Sequence, residues 1–155
     1  HTVNPSSMDQ TELYAEVVMG LGEALVGNYP GRALSFSVEK TSGETPRVLG
    51  FPSKSVMLKI PRQTLIFRSD SNGEDLEGYA GAGLYESVPM DEEETIHADY
   101  ATDPLVWDEG FRTELLSKIA EAGVAIEAAL DGQPQDIEGV VKDGEIYVVQ
   151  TRPQV

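Results

Sequence analysis

Three polar side chains stand where a β-hairpin would ordinarily bury apolar ones. Glu138 sits among Ile137, Val140 and Val141, and Gln150 and Arg152 follow Tyr147-Val148-Val149. Lys142-Asp143-Gly144 between them is a hairpin signal, so residues 136–151 are predicted to form two antiparallel strands. Register then decides the chemistry. A three-residue loop, with Gly144 as the bulge residue of a type I turn, pairs Glu138 with Val148 and makes Gln150 its diagonal neighbour on the same face. A two-residue loop puts Glu138 and Gln150 on opposite faces and favours a purely structural hairpin. The same-face version offers two oxygen ligands and a guanidinium on one surface. Magnesium suits such a set, since it takes one or two protein oxygens and completes its octahedron with waters and nucleotide phosphates. Arg152 would hold a phosphoryl group bidentately. The competing reading of these residues is a polar, solvent-facing strand side.

A second constellation is Arg68-Ser69-Asp70-Ser71-Asn72-Gly73-Glu74-Asp75, followed by Gly78, Gly81 and Gly83. Small residues let backbone N–H groups crowd an anion, as phosphate loops do, although no Lys-Ser or Lys-Thr pair closes a Walker motif. A calcium loop is excluded: an EF-hand needs Gly at loop position six and Glu at twelve, and counting from Asp70 finds Asp75 and Gly81 there. Gly20-Leu21-Gly22-Glu23, after a strand candidate, is either a bend packing closely on a ligand or a tight turn. His97 lies in an acidic stretch with no adjacent nucleophile, and no Ser/His/Asp arrangement can be argued. Trp107, Tyr79 and Tyr85 could stack on a sugar or a base, but scattered aromatics are more often packing.

The elements that must position these residues can be read from pattern. Leu13–Val18, 34–38, 56–60 and 64–68 are strand candidates, and Ala24-Leu25-Val26 is a possible helical turn. Gly and Pro mark 27–31, 43–52, 72–83 and 131–134 as loops or turns. Phe111, Leu115, Ile119, Ala122, Ile126 and Leu130 recur at the helical period, which predicts a helix over 111–130 capped by Asp108 and ended by Asp131-Gly132. Its apolar stripe is read as core packing. Gly123 in its middle costs about 1 kcal/mol against Ala and would allow close approach to a sheet. Short strands with one long late helix predict an α+β fold, mostly antiparallel.

Composition bounds the rest. The chain of 155 residues is 40% hydrophobic and 25% charged, the make-up of one globular domain. Without cysteine, disulfides, thiolate zinc sites and cysteine nucleophiles are excluded. No apolar run reaches membrane-spanning length, and HTVNPSS has no signal-peptide character. A start at His1 is expected of a processed chain or an excised fragment. The net charge of −16 is uneven: residues 32–68 hold seven of the eleven basic residues, whereas residues 69–110 hold thirteen acids and no Lys or Arg. Such a chain is a poor nucleic-acid binder, though the basic stretch could face a small anion such as phosphate.

Taken together these segments resemble the plant α-glucan, water dikinases, the starch-phosphorylating enzymes, in their C-terminal nucleotide-binding region. The resemblance rests on HTVNPSS, ELYAEVVMGLGEALVGNYPGRALSF, FRSDSNGEDLEGYAGAGLYESVPMDEEE and PQDIEGVVKDGEIYVVQTRPQ, and covers nearly the whole chain. More distantly, the GLGE turn, an RS-x-x-x-x-ED motif and a D-I-E…V-Q-x-R hairpin are similar to pyruvate, phosphate dikinases and phosphoenolpyruvate synthases. The resemblance implies that residues 1–155 are a single nucleotide-binding lobe, the C-terminal lobe of an ATP-grasp-like domain. It implies ATP and magnesium as cofactors, with Glu138 and Gln150 on the metal, Arg152 as the catalytic phosphate contact, and Arg68, Gly20 and Gly22 on the nucleotide. In those distant relatives the Arg68 motif precedes GLGE, whereas here it follows by about 45 residues, a departure that weakens the transfer to Arg68. The implied reaction moves the β-phosphate of ATP to a histidine on another domain and then to an α-glucan hydroxyl, the γ-phosphate going to water. A plastid location, and no nucleic-acid or membrane partner, are implied with it. The alternative is a non-catalytic acidic module that binds sugar or protein through Trp107 or the 91–94 acids.

Overall fold

The computed structural model describes residues 1–20, 33–41, 43–61, 66–67, 75–76, 79–80 and 88–154. Strands β1 (Glu12–Val17), β2 (Leu34–Glu39) and β3 (Arg47–Gly50) form an antiparallel sheet in the order β1-β2-β3. Strand alternation sorts the β1–β2 pairs by polarity: Leu13, Ala15 and Val17 lie opposite Val38, Phe36 and Leu34, while Glu12, Tyr14 and Glu16 lie opposite Glu39, Ser37 and Ser35. The apolar face carries the core, in which Leu13, Leu34, Phe36 and Val38 pack with Tyr100, Leu105, Leu116 and Ala120. Each Leu, Val or Phe side chain among them is worth about 1.5–3 kcal/mol when fully buried. Strand β3 corrects the loop expected over 43–52. Its Val48 lies opposite Phe36 and packs, partly buried, against the core, and flanking Gly and Pro residues masked so short an edge strand.

Two helices cover this sheet. Asp103 accepts a hydrogen bond from the Leu105 N–H at the start of α1 (Pro104–Trp107), and Asp108 accepts one from Phe111 at the start of α2 (Glu109–Ala129). Each cap satisfies an N–H that the helix cannot. The far end of α2 closes through left-handed Asp131 (φ 58°) and Gly132 (φ 75°), the Gly132 N–H returning to the Glu127 carbonyl at 2.9 Å. The buried line of α2 runs along Leu116, Ala120 and Gly123, with Leu115 and Ile119 flanking it. It is therefore rotated from the predicted stripe, and Phe111 and Leu130 at that stripe's ends are exposed. The reason is size. The smallest residues sit where helix and sheet approach closest, and a Cβ on Gly123 would stand 2.7 Å from Leu13 Cδ1. Lys40 clamps the end of β2 to α2, its ammonium 2.7 and 2.8 Å from the Glu127 carboxylate oxygens.

Strands β4 (Ser55–Pro61), β5 (Ile66–Phe67), β6 (Asp75–Leu76), β7 (Tyr79–Ala80), β8 (Val88–Pro89) and β9 (Glu93–Asp99) form three antiparallel pairs nested in sequence: β4–β9, β5–β8 and β6–β7. One of these pairs, β6–β7, falls within the predicted 72–83 loop. The chain ends in a hairpin of β10 (Gln135–Lys142) and β11 (Glu145–Pro153). The described architecture is thus α+β with antiparallel sheets, as the pattern predicted. No helix among the described residues is long and apolar enough to cross a membrane.

Residues 1–4 tie the hairpin to the main sheet. His1 and Tyr14 exchange backbone hydrogen bonds on the β1 side. On the hairpin side the Thr2 N–H donates to the Gln135 carbonyl at 2.8 Å, and the Gln135 N–H donates to Thr2 Oγ1 at 2.7 Å. Gln154 brackets Val3, its Oε1 accepting from the Val3 N–H and its Nε2 donating to the Val3 carbonyl. Thr2 and Gln135 are almost wholly buried, so each of these bonds stands in for water the groups can no longer reach.

Candidate functional site

The hairpin connection is the two-residue turn Asp143-Gly144, with Lys142 opposite Glu145. Both turn residues are left-handed, at φ 54° and φ 80°, the type I′ geometry that Asp-Gly favours. Of the two loop lengths the sequence left open, the two-residue one forms. A two-residue loop in unbroken register would separate Glu138 from Gln150, but the register shifts between Glu138 and Gly139. Gly139 lies opposite Val148 and Glu138 lies directly opposite Gln150, leaving Val149 as the extra residue of a β-bulge. Directly opposed residues share a face. Glu138 and Gln150 are therefore on one surface, as direct partners rather than diagonal ones, and the structural reading attached to a two-residue turn loses its premise. The bulge brings backbone close to Gly139, where a Cβ would lie 3.1 Å from the Tyr147 carbonyl oxygen.

One pair along the same face, Asp136 lies opposite Arg152. Asp136 Oδ2 accepts hydrogen bonds from Arg152 Nε at 3.1 Å and Nη2 at 2.9 Å, and both side chains are largely buried. His1 Nδ1 lies 3.5 Å from Asp136 Oδ1. Toward the tip the same face continues with Val140 opposite Tyr147. Val140, Val141, Tyr147, Val148 and Val149 are all exposed, so this end of the hairpin buries neither face.

Of the predicted site residues, Glu138, Gln150 and Arg152 are brought together on this surface. Gly20 takes a left-handed conformation at φ 83°, and the neighbouring Met19 N–H donates to the Tyr100 hydroxyl at 2.8 Å, so the bend is anchored to the core. Gly22, Arg68, the run from Ser69 to Glu74, Gly78, Gly81, Gly83 and the turn at 24–26 lie outside the described residues. Sequence reasoning missed Asp136 as a partner of Arg152, although the signal was present: if Glu138 opposes Gln150, residues two before and two after must oppose each other. His97 is exposed on β9, opposite Met57.

Two oxygen donors from opposed strands fit the small protein share of a magnesium shell. Among the described residues, no group of three or more His, Asp or Glu side chains is placed to hold a metal by itself. A guanidinium held at Nε and one terminal nitrogen has a fixed plane, and Arg carries five N–H donors in all.

No family model matches the chain. Curated proteins do. Over all 155 residues it is 68% identical to the chloroplastic alpha-glucan water dikinase of Solanum tuberosum, of which it spans 10%. It is 65% identical to the chloroplastic alpha-glucan water dikinase 1 of Arabidopsis thaliana, spanning 11% of that protein. To alpha-glucan water dikinase 2 of Arabidopsis thaliana it is 59% identical, spanning 12%. The chain thus covers only about a tenth of the relatives it matches, yet the match leaves none of its own residues out. By sequence it is similar, over its whole length, to one segment of the α-glucan water dikinases.

Proposed function

We propose that this chain is the ATP- and magnesium-binding lobe of a chloroplast dikinase that phosphorylates a starch-type α-glucan. The observation that carries the reading is the bulge-set pairing of Glu138 with Gln150, with Arg152 next along the same face. The similarity to enzymes named as α-glucan water dikinases supplies the reaction class, and three of these relatives are named as chloroplastic.

In this reading the chain is one of two ATP-grasp-like lobes, and Glu138 and Gln150 hold magnesium. The metal, when bound, neutralises charge on the ATP phosphates. Arg152 meets a phosphoryl oxygen, so that this lobe contributes positioning and charge compensation. The β-phosphate passes to a histidine on another domain and from there to a glucan hydroxyl, while the γ-phosphate goes to water. Gly20, Gly22 and Arg68 complete the nucleotide contacts.

Calorimetric titration of the purified chain with Mg·ATP tests this directly. Binding is expected to weaken at least about ten-fold in Arg152→Ala, the worth of one charge-assisted hydrogen bond. A comparable loss is expected in Glu138→Ala. Mg·ATP affinity unchanged in both folded variants would overturn the reading.

A further inference from the structure

We propose that Asp136 is the positioning residue of Arg152: its carboxylate fixes the guanidinium in the orientation from which Arg152 meets a phosphoryl oxygen. The proposal rests on the nucleotide reading above and adds to it a residue that touches no nucleotide itself. Strand β10 carries carboxylates at two same-face positions, Asp136 and Glu138, opposite Arg152 and Gln150. Two acids so close would repel a polyphosphate unless one were neutralised. Asp136 is neutralised by Arg152, accepting from both its Nε and its Nη2. An arginine chain has four rotatable bonds and loses much rotamer freedom when it binds. A carboxylate gripping one edge of the fork meets that cost before any ligand arrives and leaves the direction of the guanidinium set.

The carboxylate is itself held. The preceding residue, Gln135, is buried and locked by Thr2 Oγ1 on its N–H and by the Thr2 N–H on its carbonyl. Gln135 Oε1 accepts from Thr151 Oγ1 at 2.9 Å, which joins the two strands beside the Asp136–Arg152 pair. His1 Nδ1 stands against the other carboxylate oxygen. Residues 1–2 thereby support the ion pair as well as the sheet.

The test uses the purified chain as wild type, Asp136→Ala, Asp136→Asn, Arg152→Ala and the double alanine variant, each checked for folding by thermal melts. The first readout is the Arg152 Nε–H signal in a 1H–15N spectrum, which is expected to be protected from solvent exchange in wild type and to lose that protection in Asp136→Ala. The second is Mg·ATP affinity. Asp136→Ala is expected to weaken it about ten-fold, Asp136→Asn, which keeps one acceptor oxygen, by less, and Asp136→Ala to add nothing once Arg152 is alanine. If Asp136→Ala fails to fold, Asp136→Asn carries both readouts. Equal affinity of wild type and the Asp136 variants overturns the proposal and leaves the nucleotide site standing. The same fold-loss with and without Arg152 also overturns it, since that is what a merely structural residue does. A wild-type chain whose Mg·ATP binding is indifferent to Glu138→Ala and Arg152→Ala sinks both readings, whatever the Nε–H signal shows.

Discussion

At the scale of single residues the chain holds several groups away from their ordinary chemistry. Burial and the 2.6 Å hydrogen bond that its hydroxyl donates to Glu16 push the Tyr14 phenol up to about 12. The sign follows from linkage: above the ordinary phenol range the unfolded chain releases a proton that the folded chain keeps. Stability from this group is therefore full below about pH 10 and is lost as pH rises toward 12. Alkaline melts of wild type against Tyr14→Phe should show a shallower decline in the variant. Glu12 behaves oppositely, held low by hydrogen bonds from Ser37 and Asn4 and by the Arg47 guanidinium. What it adds is present at neutral pH and lost as pH falls through its folded pKa. At this scale the site was half legible. Polar residues at apolar strand positions pointed to Glu138, Gln150 and Arg152, whereas Asp136 comes to Arg152 only through register, and His1 comes to Asp136 only through residues 1–4, which carry no periodic signal.

Among the elements, two glycines without unusual torsions set the spacing, and they respond to substitution differently. Gly123→Ala gains about 1 kcal/mol of helix propensity, but its methyl meets the tip of buried Leu13 at 2.7 Å. Overpacking of that kind costs about 1–3 kcal/mol, so a modest net destabilisation is expected in urea melts. Gly139→Ala meets a backbone carbonyl, which cannot swing aside. Its expected signature is a change in the bulge and weaker Mg·ATP binding at little cost in overall stability. The longest elements were legible: the helix predicted over 111–130 with its Asp108 cap is Glu109–Ala129, and the 136–151 hairpin is Gln135–Lys142 with Glu145–Pro153. Strand β9 was not legible, because Glu93, Glu94 and His97 hide any apolar alternation in a strand whose partner is forty residues away. The turn length was left open by the sequence, and Glu138 and Gln150 share a face by a route neither alternative contained, since a bulge depends on pairing that no local pattern encodes.

Taken as a whole, the described molecule is a sheet-and-helix core with a hairpin bolted to it by residues 1–4. Phe36→Ala is expected to cost about 3–5 kcal/mol, the range for a large core side chain, read as a lowered melting temperature. Thr2→Val removes the buried oxygen that accepts from Gln135 and should cost about 1–3 kcal/mol, with faster amide exchange at Gln135 as its mark. The exposed apolar tip of the hairpin has a colloidal consequence. At neutral pH a charge of −16 keeps copies of the chain apart. Titration toward the isoelectric point near 4.3 removes that repulsion while leaving Val140, Val141, Tyr147, Val148 and Val149 open to water. Strand-edge association should then set in. Light scattering that rises steeply between pH 6 and the isoelectric point in wild type, and less in Tyr147→Lys/Val149→Lys, would locate the sticky surface at the hairpin tip and fix the conditions under which the isolated chain stays dispersed.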